Sequence, residues 1–120
     1  MGRRTVLEKF LLLNNQNTAS TITSDPTEVS GLDNVTYEIS INALADSFCE
    51  PQFCNDRILS PSSVFKPLDF GSQLTLLGTT DTNYTITIKN QGFKHLRLNI
   101  TNNGGTGNLS AWVTGNCVGA

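Results

Sequence analysis

Charge is scarce in this sequence. Its 120 residues hold eight Lys plus Arg against ten Asp plus Glu, 15% charged in all, with a formal net charge of −2; an average soluble domain is about a quarter charged. With no basic excess to neutralise a phosphate backbone, nucleic acid is not expected as a partner. Long apolar runs are missing too. No stretch approaches the ~20 residues of a membrane-spanning helix, so no membrane is expected as a partner and the chain reads as soluble. Glu8 and Lys9 break residues 6–13 before they reach the apolar core of a signal peptide, so export is not expected. Val6 stands where a myristoylation signal has Ser or Thr.

Reactive side chains are equally sparse. There is one histidine, His95. A Ser-His-Asp assembly needs a buried, oriented imidazole, whereas alternation places His95 with Arg97 opposite Leu96 and Leu98, facing solvent or a partner subunit. The acid pairs Asp46 with Glu50 and Asp56 with Asp69 have no cleft marked around them. No catalytic residue is assigned and the protein is not expected to be an enzyme. Three cysteines make an odd set. Cys49 and Cys54, an odd number of residues apart, point to opposite faces of a strand and beyond disulfide reach unless Pro51 turns the chain. Free thiols in a reducing compartment are the expectation. A zinc site of Cys49, Cys54, Cys117 and His95 is the alternative, but it lacks the two-residue cysteine knuckle. No cofactor or metal is expected. The glycine-rich residues 103–108 precede neither Lys-Ser nor Lys-Thr, and no helix opens after them, so they read as a hairpin turn rather than a phosphate loop. Four Asn-x-Ser/Thr sequons, at Asn34, Asn83, Asn99 and Asn108, are about what this Asn-, Ser- and Thr-rich composition yields by chance.

What the chain does have is alternation, the pattern of a strand with one face in a core and the other in water. Val35, Tyr37, Ile39 and Ile41 alternate with Thr36, Glu38 and Ser40. Tyr84, Ile86 and Ile88 follow the same rule, as do Leu96, Leu98 and Ile100, and then Leu109, Ala111 and Val113. The Gly/Asn cluster between the last two predicts an antiparallel hairpin. Weaker strands are expected at residues 6–13, 20–23, 47–54, 64–70 and 73–77. The fold class is therefore all-β: a single-domain antiparallel β-sandwich or jelly roll of about eight strands. Residues 1–16 form an N-terminal arm or edge strand and residues 17–120 the sandwich. Thr5 to Leu13 could alternatively make a two-turn helix, with Val6, Phe10 and Leu13 on one face, before Asn14-Asn15 closes it. Trp112 has the parity opposite Leu109, Ala111 and Val113, so it is an exposed stacking platform or, the favoured reading, a residue packed in the core or an interface.

The motifs also occur in a familiar order. Gly31-Leu32-Asp33-Asn34-Val35-Thr36-Tyr37-Glu38-Ile39-Ser40 comes first, followed by Leu68-Asp69-Phe70-Gly71 and Thr82-Asn83-Tyr84-Thr85-Ile86-Thr87-Ile88. Then come Phe93-Lys94-His95-Leu96-Arg97-Leu98, Gly105-Thr106-Gly107-Asn108-Leu109-Ser110-Ala111 and Val118-Gly119-Ala120. From about Leu11 onward the chain resembles the small virion structural proteins of tailed phages, of the capsid decoration or cement type. Phe48 to Asp56, with Cys49, Pro51 and Cys54, departs from the continuous strand of that family, and Arg57 stands in place of its turn glycine. The resemblance implies a discoidin-like or jelly-roll sandwich, made in the bacterial host cytoplasm and residing on the capsid surface of the virion. It implies a homotrimer bound to the major capsid protein. Arg3, Arg4, Phe10, Leu12 and Trp112 are the expected capsid or subunit contacts. The competing expectation is a carbohydrate- or receptor-binding module of a tail or fibre, using Trp112, Tyr84 and loop Asn and Asp side chains.

Overall fold

Each stretch of alternation forms a strand. The computed structural model describes residues 6–42, 46–68, 74–77, 82–89 and 92–117. The four clear alternators are β4 (Asn34–Ile41), β8 (Thr82–Ile88), β9 (His95–Asn102) and β10 (Asn108–Asn116). With them are β1 (Val6–Asn17), β2 (Ile22–Thr23), β3 (Thr27–Glu28), β5 (Asp46–Cys54), β6 (Lys66–Pro67) and β7 (Leu74–Leu77). One sheet has the order β1-β10-β4-β8 and the other the order β2-β9-β5-β6, with β3 also on β9 and β7 also on β5. Because β2 and β3 share one place, as do β6 and β7, the ten strands among the described residues fill eight positions in two antiparallel sheets. That interleaved order, with the chain passing repeatedly from sheet to sheet, is a jelly roll. Among the described residues no helix is long and apolar enough to cross a membrane.

The core is what the alternation encodes. Val35, Tyr37, Ile39 and Ile41 of β4, Leu109, Ala111 and Val113 of β10, and Leu96, Leu98 and Ile100 of β9 are buried between the sheets. Each large side chain so buried contributes about 1.5–3 kcal/mol. Tyr84, Ile86 and Ile88 pack partly buried against this cluster from the edge strand β8.

The expected hairpin of the last two strands does not form. β9 lies in the second sheet and β10 in the first, so residues 103–107 cross the sandwich instead of reversing within one sheet. The glycine signal was right about backbone conformation, since Gly104 has φ +103°. The crossing is fixed by a remote segment: Thr18 donates from both its N–H and its hydroxyl to the Gly107 carbonyl at 2.8 Å. Asn102 Nδ2 donates to the Thr18 carbonyl at 2.7 Å and to the Gly105 carbonyl at 2.6 Å. Residues 18–21 and 103–107 are short, so they stack β1 on β2 and β10 on β9, and the β6/β7 edge of one sheet lies on the side away from β1.

Residues 6–13 belong to β1, a strand rather than a helix, which forms the edge of the first sheet next to β10. Its register against β10 slips three times, and Asn15 adopts φ +50° within it. Such bulges twist an edge strand and blunt it against further pairing.

Proline is tolerated in β5, although it cannot donate to a ladder. The Pro51 carbonyl accepts from Leu68 N–H at 3.4 Å. Its missing N–H therefore faces the side where β6 and β7 are separate short pieces, opposite Gln52–Phe53 and Asp46–Cys49 respectively.

Candidate interaction surface

The half of each alternating strand that avoids the core builds the outer face of the first sheet. Trp112 on β10, Glu38 on β4 and Thr85 on β8 share one cross-strand row, and Leu11 of β1 adjoins Trp112 on its other side. The indole is half-buried because Lys9 reaches over it, with Nζ 5.5 Å from the ring centroid. The same ammonium contacts Glu38 Oε2 at 2.8 Å. Around this group the face is hydroxyl and amide: the Thr36 and Thr87 hydroxyls are 3.3 Å apart and Asn34 Nδ2 donates to Asn116 Oδ1 at 3.3 Å. Two shallow depressions of about 590 and 250 Å³ meet at Lys9. The charges cancel locally, and an exposed pair of this kind is worth roughly 0–1 kcal/mol. The arrangement offers one aromatic surface and many neutral hydrogen-bonding groups. It is chemically suited to non-covalent contact with a polar partner surface.

The outer face of the second sheet is partly roofed. Phe65, after the connection from β5, places its ring 4.1 Å from the Arg97 guanidinium. Arg97 Nε donates to Gln52 Oε1 at 2.8 Å, and Gln52 Nε2 in turn donates to Glu50 Oε1 at 2.8 Å. Here one expectation is corrected. His95 has the parity expected, on the Arg97 side, but it is 8% exposed rather than facing solvent. Glu28 and Cys54 flank it in register from both neighbouring strands. Alternation gives the face of a side chain; whether neighbours cover it there is decided elsewhere in the chain.

The cysteines separate as their spacing requires. Cys49 is buried between the sheets and Cys54 is buried on the opposite side of β5. Cys117, just beyond β10 in the other sheet, donates from Sγ to Asp33 Oδ2 at 3.6 Å. The residues of the alternative zinc set are thus distributed over two sheets and both faces of β5. Burial, and next the charge of Glu50, pushes the Cys49 thiol up to about 12. The Tyr37 phenol is also pushed up, first by burial and then by Cys49.

Of the contacts expected from sequence, Arg3 and Arg4 lie outside the described residues. Phe10 is 40% exposed and Leu12 packs against the core. Tyr84 shares a row with Ile39 and packs partly buried against the core, and it lines the smaller depression together with Trp112. Lys9 and Glu38, the immediate partners of Trp112, escaped the sequence reading. Glu38 carried a usable signal in its parity, but nothing local assigned it to β10.

No family model matches the chain, and no curated relative matches it. Solved structures do. The crystal structure of the SPBc2 prophage-derived protein YomS is similar at TM-score 0.63 and 11% identity, covering 97% of this chain and 96% of that one. The structure of infectious bursal disease virus, Gx strain, is similar at TM-score 0.60 and 13% identity, covering 99% of this chain and 33% of that one. At such identities the likeness is one of fold.

Proposed function

We propose that the protein is a non-enzymatic virion structural component, a phage capsid decoration protein that binds the outer shell as a homotrimer and stabilises it. The observation that carries this reading is the jelly-roll order of this chain together with its similarity in fold, along nearly the full length of both chains, to a prophage-derived protein. Jelly rolls of this order recur in viral coat domains and in lectins. The neutral, hydroxyl- and amide-rich face around Trp112 supports contact through shape and hydrogen bonds rather than through charge. The major capsid protein is the partner in this reading, and the capsid surface is the location.

A decoration protein that binds only the assembled shell stabilises it by mass action. Heads lacking the protein should therefore lose integrity at lower temperature, and adding the purified protein back should restore them. Host adsorption should be unchanged. Heads of normal stability combined with lost adsorption would overturn the reading and favour a receptor- or glycan-binding module built on Trp112.

A further inference from the structure

Four large apolar side chains stand out as exposed among the described residues: Phe10 at 40%, Leu11 at 45%, Ile58 at 79% and Val64 at 65%. They form two groups. Phe10, in register with Val113, and Leu11, in register with Trp112, stand on the two faces of β1, the edge strand of the first sheet, whereas Ile58 and Val64 sit on the segment that joins β5 to β6 in the second sheet. The two groups thus belong to different sheets.

The segment that carries Ile58 and Val64 is held in shape from within. Ser63 Oγ donates to Asp56 Oδ2 at 2.8 Å, Ser60 N–H donates to Ser63 Oγ at 2.9 Å and Ser63 N–H donates to the Ser60 carbonyl at 3.0 Å. Phe65 is fastened to Arg97 at its C-terminal end. A loop already ordered while displaying apolar side chains to water has little entropy left to lose on docking.

Charge separates the possible pairings. Exposed Arg57 and Lys66 flank the loop group, and the Asp56 carboxylate is turned into the loop by Ser63. Exposed Glu8 flanks the β1 group, while Lys9 beside it is held by Glu38. Loop against loop would oppose like charges. Strand against strand would require a continuous edge ladder, which the three register slips of β1 interrupt. Loop against β1 brings Arg57 and Lys66 to Glu8 and apolar to apolar.

We infer that the residue 55–65 loop of one copy docks, through Ile58 and Val64, on the Phe10–Leu11 edge of a second copy of this chain. Two different patches make a head-to-tail contact, which closes into a ring when the rotation between copies allows it. The inference rests on the oligomeric part of the proposed function and gives it an interface. It is tested in solution without any shell, so that it and capsid binding can fail separately.

The test uses the full chain and two variants, Phe10→Asp and Ile58→Asp, with mass measured by light scattering and fold checked by circular dichroism. The wild type should form a closed oligomer, and each variant alone should fall to the mass of one chain. Mixed together, the two variants should form a pair and nothing larger, because the mixture restores one intact loop-to-β1 contact. An oligomer persisting in Ile58→Asp alone would mean β1 pairs with itself, and one persisting in Phe10→Asp alone would mean the loops pair. Either result overturns the inference, as does a monomeric wild type or a mixture that stays monomeric. Leu11→Asp and Val64→Asp repeat the test if either first variant fails to fold.

Discussion

Replacing Tyr37 with Phe should make the protein more stable, although it removes a polar group from the middle of the sandwich. Tyr37 is fully buried and its hydroxyl has no hydrogen-bond partner. A buried hydroxyl without a partner costs about 1–3 kcal/mol relative to water. Phe keeps the ring and its packing. It leaves a gap of one oxygen, which at about 24 cal/mol per Å³ costs only a few tenths of a kcal/mol. The balance is a gain of about 1–2 kcal/mol. Urea unfolding followed by the fluorescence of Trp112, the only tryptophan, should show a higher midpoint with an unchanged slope. Ser47→Ala should shift the midpoint in the same direction, since Ser47 Oγ is likewise buried without a partner. A loss of about 1 kcal/mol or more in Tyr37→Phe would refute the reasoning, because it would mean that the hydroxyl is satisfied, for example by an internal water.

Two further outcomes follow from the same core. Leu98→Ala, at a fully buried β9 position, should cost about 2–5 kcal/mol, whereas Arg97→Ala on the other face should cost about 1 kcal/mol or less, the worth of a surface cation–π contact; equal shifts in thermal unfolding would disprove the face assignment. Stability should fall with rising alkalinity: the Cys49 thiol moves from its ordinary 9 up to about 12 on folding. The unfolded chain thus loses this proton first, and the stability present below pH 9 should decline above it by about 1 kcal/mol per pH unit. Tyr37, also raised, adds to the decline from about pH 10. A Cys49→Ala variant should flatten the curve between pH 9 and 10, which urea titration at a series of pH values can check.

The strands that were legible are those with one face in the core and one in water. Along β4 and β9 every second residue reports the core, so Val35, Tyr37, Leu96 and Leu98 could be placed before any partner was known. Alternation carries no information about which strand lies alongside. A Gly/Asn turn such as residues 103–107 suits a hairpin and a crossing between sheets equally well. What decides between them is Thr18 on the Gly107 carbonyl, 89 residues away in the chain. β3 was missed because Thr27–Glu28 is too short to show any period. β1 was ambiguous because its bulges break the two-residue repeat and leave Val6, Phe10 and Leu13 at spacings that also suit a helix.

The same limit explains why the surfaces were harder to read than the core. Trp112 declared its face through parity, yet what makes it an interaction surface is Lys9 from β1 and Glu38 from β4 meeting over it. His95 also declared its face correctly, and its burial then depended on neighbours from β3 and β5. Ile58 belongs to no expected strand, and Val64 was expected to open a strand at residues 64–70 but precedes the described one, Lys66–Pro67; their exposure on an ordered loop is what marks both. Core positions repeat a rule that each strand states alone. Contact surfaces are made where strands from distant parts of the chain adjoin or where a loop breaks the rule, and those are the places where single-sequence periodicity falls silent.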